Sequence, residues 1–313
     1  MSNILITGGA GFIGSHMADE LCKKHKVWVL DNLQTGSVNN VNKSAIFLKK
    51  DINNPLTILD LKALKVKFDY IFHYAATVGV RRTEENPLGV MEDLEGMWNV
   101  LHFAIYNGVK KVLFSSSSEV YGENDNVLSE GSCLNANTPY ACVKVACENL
   151  LKAYSSAFGL RITCLRFFNV YGPRQDGSDY GFVTSIFINQ LLDNNPLTIH
   201  GKGDSTRDFV YVKDNVQATI LAMESKKTDG KVINIGTGKR ITIKELANKL
   251  IKVSGKKSKI VYIKPKNSFI KHRCPNTSMM KKLLGFKTKY SLEDGLKETW
   301  DYYKNLNTNY NAS

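Results

Sequence analysis

Tyr140 and Lys144 stand four residues apart at the start of Pro139-Tyr140-Ala141-Cys142-Val143-Lys144, which opens a helix expected to run to about Phe158. At that spacing the two side chains share one helical face. A phenol with an ordinary pKa near ~10 is a poor base at neutral pH. An ammonium one turn away, with the positive ring of a nicotinamide nearby, would favour the phenolate. Lowering the pKa by ~3 units corresponds to about 4 kcal/mol of differential interaction. Such a phenolate can take the proton of a substrate hydroxyl while hydride leaves the same carbon, and Ser117 can hold that hydroxyl and pass the proton along. Taken alone, a Tyr and a Lys at this spacing make a packing or surface contact, so the surrounding sequence has to decide.

The stretch Ile4 to Asp31 supplies that context. It reads as a strand (Ile4, Leu5, Ile6), the turn Thr7-Gly8-Gly9-Ala10-Gly11-Phe12-Ile13-Gly14, a helix to about Lys24 and a second strand closing on Asp31. Gly8 permits the tight turn, Gly11 lets backbone approach a pyrophosphate, and Gly14 lets the helix pack close on the strand. Phosphates would sit on the exposed N–H groups of the helix start, beside Phe12 and Ile13, where the helix dipole favours negative charge. Asp31, with Asn32 next to it, would accept hydrogen bonds from the adenosine ribose and disfavour a 2′-phosphate, which selects NAD over NADP. Asp51, followed by Ile52, can reach the adenine amine or cap a turn, and both readings stay open. The small residues Ala75 and Ala76 after a buried strand, Tyr70 to His73, would let backbone lie against the cofactor.

The elements that hold these groups alternate. Leu33 to Asn42 is a polar loop, Ile46 to Leu48 a strand, Leu56 to Leu64 a helix, Glu84 to Tyr106 one long helix, and Val112 to Phe114 a strand. Strands alternating with helices predict right-handed βαβ units and a parallel sheet, with Ser115 to Gly122 just past a strand's carboxyl end, where such sheets bind ligands. Ile162 to Phe167 and Val232 to Gly238 read as further strands, and Gly181 to Leu192 as a helix. After about Lys304 the tail is rich in Asn, Thr and Tyr and carries no clear structural signal.

At 313 residues and 43% hydrophobic content the chain can bury a full core. Met1-Ser2-Asn3 leads directly into the first strand without a basic-then-apolar leader, and no apolar run reaches the ~18 residues of a membrane span, so a cytoplasmic protein with no membrane partner is expected. Cys22, Cys133, Cys142, Cys147, Cys164 and Cys274 are scattered, with neither a C-x-x-C pair nor zinc spacing, which predicts reduced thiols and no metal. The formal charge of +13 comes from dispersed lysines without an aromatic-interleaved stripe. That pattern argues against nucleic acid and suits a basic surface attracting an anionic diphosphate.

Together these motifs resemble the extended short-chain dehydrogenase/reductases of the nucleotide-sugar epimerase/dehydratase family. The resemblance runs from residue 4 to about residue 300 and is carried by Thr7 to Ser15, His73 to Ala76, Ser115 to Gly122, Pro139 to Lys144, Arg166-Phe167-Phe168-Asn169-Val170-Tyr171-Gly172-Pro173-Arg174-Gln175 and Thr206 to Asp214. It implies a Rossmann-like doubly wound parallel sheet with a smaller, interleaved C-terminal α/β substrate domain. The NAD-binding part would be residues 1–173, with late segments at about 209–239 rejoining it, and the nucleotide-sugar region 174–208 and 240–313. It also implies NAD held through the reaction, transient oxidation of the sugar at C4, and dimers formed through Glu84 to Tyr106 and Pro139 to Phe158. For the substrate it implies Asn169 on a phosphate or sugar oxygen, Val183 in an apolar slot, Leu197 offering backbone to the base, and Arg207 and Arg273 on the diphosphate.

Three outcomes follow from a common 4-keto sugar: inversion at C4, loss of water across C5 and C6, or loss of a C5 carboxylate. The family's epimerases usually lack an acid at the position of Glu119, whereas its dehydratases and glucuronate decarboxylases have one, suited to C5 proton chemistry. Arg273-Cys274-Pro275-Asn276 is similar to the decarboxylase pattern, but Asn137-Thr138-Pro139 lacks the arginine that decarboxylases place before the tyrosine. Asp93 departs from the family's Asn near the nicotinamide, and a buried carboxylate there needs a partner. The expectation is a UDP-hexose 4-epimerase, with a dehydratase or decarboxylase using Glu119 as the alternative. A non-catalytic dinucleotide sensor of this fold typically lacks the Tyr-x-x-x-Lys pair, which this chain has.

Overall fold

The computed structural model describes residues 1–124, 126–178, 181–264 and 271–310. In chain order the strands are β1 Asn3–Thr7, β2 Lys26–Asp31, β3 Ile46–Lys49, β4 Tyr70–His73, β5 Lys111–Ser117, β6 Val127–Leu128, β7 Arg161–Phe167, β8 Val170–Tyr171, β9 Leu197–His200, β10 Thr206–Arg207, β11 Val210–Tyr211, β12 Lys231–Ile235, β13 Ile241–Thr242, β14 Ile260–Ile263 and β15 His272–Pro275. The helices are α1 Phe12–Leu21, α2 Leu56–Ala63, α3 Val80–Glu85, α4 Pro87–Met91, α5 Asp93–Tyr106, α6 Pro139–Phe158, α7 Val183–Leu192, α8 Val212–Glu224, α9 Ile243–Ser254, α10 Ser278–Leu284 and α11 Leu292–Tyr310.

Ile4, Leu5 and Ile6 of β1 are buried on both faces, as a strand sandwiched between helix layers must be. The main sheet has seven strands in the order β12-β7-β5-β4-β1-β2-β3, and every pairing is parallel. The chain therefore winds from β1 through β2 to β3 in one direction and from β4 through β5 and β7 to β12 in the other. This is a Rossmann-like doubly wound α/β fold. Its strand order reverses between β1 and β4, and the crevice beyond their carboxyl ends is where such sheets take ligands. One core layer packs α1, α8 and the C-terminal helices on the sheet, and the other packs α2, α5 and α6.

The remaining strands form a four-stranded sheet, β13-β10-β15-β6, and the pairs β11-β8 and β14-β9. β12 lies beside β7 in the main sheet although the chain between them builds β8 to β11, α7 and α8. Lys111 anchors that return. Its fully buried ammonium donates to the carbonyls of Ala222 and Ser225 and to the Thr228 hydroxyl, satisfying the end of α8.

Two expectations need correction. The long helix over Glu84 to Tyr106 is three helices; the first break arises because Pro87 lacks an N–H and pushes Asn86 out of helical geometry (φ −130°, ψ 68°), and the second falls at Glu92. The Asn86 side chain then accepts from the Gly89 N–H and starts α4. The tail after Lys304 continues α11 to Tyr310, its weak helix formers prolonging a helix already held by the core through Leu296 and Trp300; residues 311–313 lie outside the described residues.

Candidate active site

Gly8 leaves β1 with φ +69° and donates its N–H to the Leu30 carbonyl at the end of β2. A Cβ here would meet the Ala75 nitrogen at 2.6 Å, and a Cβ on Gly14 would meet the Gly8 carbonyl at 2.2 Å. The turn, the first turn of α1 and the segment after β4 therefore pack at distances that only glycine allows. Gly11 precedes α1 without a side-chain cap, so the helix start keeps its N–H groups for an anion.

Asp31 ends β2 at 7% exposure; one carboxylate oxygen accepts the Ala10 N–H (3.0 Å) and the other the Leu33 N–H (2.8 Å). These bonds aim the carboxylate across the glycine turn, and each oxygen keeps a lone pair for a ribose hydroxyl. Asn32 donates to one oxygen of Asp51, whose other oxygen accepts the Asn53 N–H, so Asp51 caps a turn while also lining the cleft. A cradle that a side chain would fill, an uncapped helix start and an acid at the end of β2 fit a dinucleotide.

The glycine turn, Asp31, Asn32 and Asp51 line a single cleft of about 390 Å³. Its wall includes Gly8, Gly11, Phe12, Ile13, Gly14, Asp31, Asn32, Asp51, Ile52, Ala75 and Ala76 at one end, and Ser117, Glu119, Tyr140, Lys144 and Asn169 at the other. Ser117 closes β5, and its hydroxyl accepts the Glu119 N–H (3.1 Å), starting the short 3-10 turn Ser118–Tyr121 that turns Glu119 toward the cleft. Tyr140 enters on the first turn of α6, which is capped by the Thr138 hydroxyl and begun by Pro139. Lys144 is 3% exposed, donates to the Ser115 carbonyl (2.9 Å) and lies 5.4 Å from the centre of the Tyr140 ring.

The chain's own groups act on the phenol in the direction opposite to the one expected with a nicotinamide ring beside it. Burial, the dominant effect, pushes the Tyr140 phenol up from its ordinary pKa. The Ser117 hydrogen bond pulls it back, and the charges of Glu119 and Asp93 push it further up. Burial likewise pushes Lys144 down. Among the chain's own groups desolvation is the largest effect on the phenol, and it favours the protonated form.

A buried frame supports this end from behind. Glu148 of α6 takes a two-pronged ion pair from Arg166 of β7 (2.8 and 2.7 Å) and a hydrogen bond from Ser116 (2.6 Å). Arg166 also reaches the Tyr121 hydroxyl (2.9 Å), which donates to Asn234 of β12 (2.7 Å). The frame thereby fastens α6, the end of β5 and the 3-10 turn to one another, which fixes Tyr140 relative to Ser117.

Not all expected substrate residues meet at the cleft. Asn169 lines it and donates to the Asp208 carbonyl (3.2 Å). Val183 begins α7 and packs on the core, and the residue before it, Phe182, faces the cleft instead. Leu197 is fully buried in β9, and its N–H goes to the Lys259 carbonyl in the pairing with β14, so that backbone donor is used. Arg207 and Arg273 sit in register on the parallel strands β10 and β15, joined to the cleft by an ion pair between Arg273 and Glu119. Burial, with Arg273 as neighbour, pushes Arg207 down to about 10.

Sequence reasoning missed Phe182 and a pair across the mouth, Arg82 to Asp176 (3.0 Å), both of which line the cleft. Asp176 and Phe182 lie in a loop that carries no spacing rule, and Arg82 lies in the short helix α3, whose sequence has no periodicity that marks a site. Among the described residues no group of three or more His, Cys, Asp or Glu side chains could hold a metal ion, and no helix is long and apolar enough to cross a membrane.

Comparison with known proteins agrees with this geometry. Residues 4–236 match the model of the NAD dependent epimerase/dehydratase family. The chain is 37% identical to a putative UDP-glucose 4-epimerase of Methanocaldococcus jannaschii, over 97% of this chain and 99% of that one. It is also 37% identical to a UDP-N-acetyl-alpha-D-glucosaminuronate decarboxylase of Bacillus cytotoxicus, over 96% of this chain and 98% of that one. The crystal structure of a UDP-glucose 4-epimerase from Thermotoga maritima with UDP-glucose superposes with a TM-score of 0.93 at 37% identity, covering 97% of this chain and 99% of that one. A glycine cradle closed by an acid, opening into the same cleft as a Ser, Tyr and Lys set, is thus accounted for: this chain is an enzyme of the NAD-dependent epimerase/dehydratase family.

Proposed function

We propose that the protein is a nucleoside-diphosphate-sugar 4-epimerase acting on a UDP-hexose. The observation that carries this reading is the convergence of the glycine cradle and Asp31 with Ser117, Tyr140 and Lys144 in one cleft. NAD, when bound, supplies a hydride acceptor and donor at C4 and a positive ring that favours the phenolate. Tyr140 takes the 4-hydroxyl proton, Ser117 holds that oxygen, and the buried Lys144 keeps positive charge beside the phenol. The 4-keto sugar turns over within the cleft before reduction on its other face, and Tyr140 returns the proton.

Arg207 and Arg273, in register on β10 and β15, support a diphosphate clamp, and Asn169, which lines the cleft, supports a contact to a phosphate or sugar oxygen. A uridine substrate is favoured by the relatives above, whose names specify UDP-sugars. We also propose a cytoplasmic homodimer, supported by the apolar groove between α5 and α6 that Leu94, Trp98, Ala146 and Leu150 line. The NAD-binding region is proposed as 1–173 with 209–239, and the substrate region as 174–208 with 240–313.

One observation favours a second reading. Glu119 lies in the cleft two residues beyond Ser117 and is paired with Arg273, a placement suited to proton transfer at C5 and hence to loss of water or carbon dioxide. Incubation with UDP-glucose, UDP-N-acetylglucosamine, UDP-glucuronate, GDP-mannose and dTDP-glucose, followed by mass spectrometry, separates the two. An isobaric product is expected, and a loss of water or carbon dioxide would replace the epimerase reading. Tyr140→Phe should lower turnover at least roughly 10³-fold while NAD binding, measured by calorimetry, persists; undiminished turnover would remove the mechanism.

A further inference from the structure

One buried carboxylate in the cleft has no part in the steps above. Asp93 begins α5 at 8% exposure and lines the cleft with Tyr140 and Lys144. Its oxygens accept the Thr77 N–H at 2.9 and 3.2 Å, and the Thr77 hydroxyl lies at 3.5 Å. These bonds tie the start of α5 to the segment after β4 that carries Ala75 and Ala76. They come from neutral donors, so the buried negative charge still calls for a cation.

Lys144 is the complementary case: an ammonium at 3% exposure, hydrogen-bonded to a neutral carbonyl and lying over the Phe114 and Tyr140 rings. The ionisable groups facing it are Tyr140, Cys147 and Glu148 on α6, His73 on β4 and Asp93 on α5. Glu148 is held by Arg166 and Ser116, burial pushes the Cys147 thiol up to about 11, and burial pushes His73 down to about 3, so the last two are neutral. Asp93, in turn, is pushed up by burial, pulled back by the charge of Lys144 and by the Thr77 bonds, and pushed up again by Glu92; Tyr140 and Cys147 also face it. The charge of Asp93 raises Lys144 and that of Lys144 lowers Asp93, each against the burial of the other.

We propose that Asp93 is a positioning residue of the reaction: fastened by Thr77, its carboxylate is the counter-charge that keeps Lys144 an ammonium beside Tyr140. The inference rests on the epimerase reading in one respect, that Lys144 serves the Tyr140 phenol. Asp93→Asn isolates the charge, because an amide oxygen still accepts from the Thr77 N–H. With the carboxylate removed, Lys144 loses its proton at lower pH, and the alkaline limb of turnover follows it down.

The decisive measurement is the titration of the Lys144 side chain by NMR on protein carrying ¹³C-lysine, the resonance assigned by its disappearance in Lys144→Met. In Asp93→Asn the Lys144 midpoint should fall by at least about one pH unit. The alkaline limb of kcat on whichever sugar nucleotide is turned over should fall by a similar amount. A midpoint that stays in place or rises in folded Asp93→Asn overturns the proposal and leaves Asp93 a structural tie to Thr77. Should Asp93→Asn not fold, the wild-type protein decides. Protonating Asp93 in acid should then move the Lys144 resonance with the carboxyl's own midpoint, and a signal flat through that range overturns the proposal. If no nucleotide sugar is turned over, the epimerase reading falls while the lysine titration still judges Asp93.

Discussion

His73 shows how burial governs single residues here. Its Nδ1 is hydrogen-bonded to the Thr7 hydroxyl at 2.7 Å and its ring stacks on Phe114, so β4 is pinned to β1 behind the cleft. Burial first, and the charge of Lys144 second, hold its pKa near 3. An unfolded chain takes up this proton near ~6.5, and the folded one refuses it until about 3. Its contribution is therefore intact above the unfolded value and is lost as pH falls from there, at about 1.4 kcal/mol per pH unit. Between pH 7 and pH 5, urea unfolding should show wild type losing about 2 kcal/mol more stability than His73→Gln; parallel losses would refute the assignment. At this scale the Tyr140 and Lys144 spacing and the Asp31 carboxylate were legible, because they follow local geometry. The direction of the Tyr140 shift was not, because it is dominated by burial in the folded chain, with a hydrogen bond from Ser117 and the charges of Glu119 and Asp93 acting from other elements.

Among elements, the junction of β1, its turn and α1 admits the least change. A methyl group on Gly14 would press on the Gly8 carbonyl, which is backbone and cannot swing aside. Gly14→Ala should therefore weaken NAD binding at least roughly 10-fold and cost about 1–3 kcal/mol of stability. Calorimetry and urea unfolding together would reveal both effects, and an unchanged NAD affinity would show that the turn can relax. The βαβ alternation was readable because buried parallel strands are short, apolar and separated by amphipathic segments. The break at Asn86-Pro87 was readable in principle, from the proline, but the continuous apolar periodicity hid it. The run of α11 to Tyr310 was not readable, because its Asn and Thr residues are poor helix formers and its core-facing Leu296 and Trp300 lie upstream.

For the whole molecule, the unpartnered face of α5 and α6 is the feature that the isolated chain leaves open. Trp98 is 52% exposed and Leu150 37%, and both line an apolar groove. In the proposed dimer this face is covered by a second copy. Leu150→Glu should then give a folded monomer by sedimentation, and a mass equal to that of wild type would rule this face out as the interface.

The sequence by itself determined the glycine turn, the alternation of strands and helices and the Tyr140 and Lys144 spacing, since each rests on a pattern local to one element or to neighbouring ones. Only the tertiary structure decided what those groups experience. Glu119 pairs with an arginine 154 residues away, Leu197 is turned into the core while Phe182 faces the cleft, and Asp93 is bonded to Thr77 and feels the charge of Lys144. Contacts of that kind depend on which elements the doubly wound sheet brings side by side, and desolvation depends on everything packed around them; neither leaves a local period in the chain.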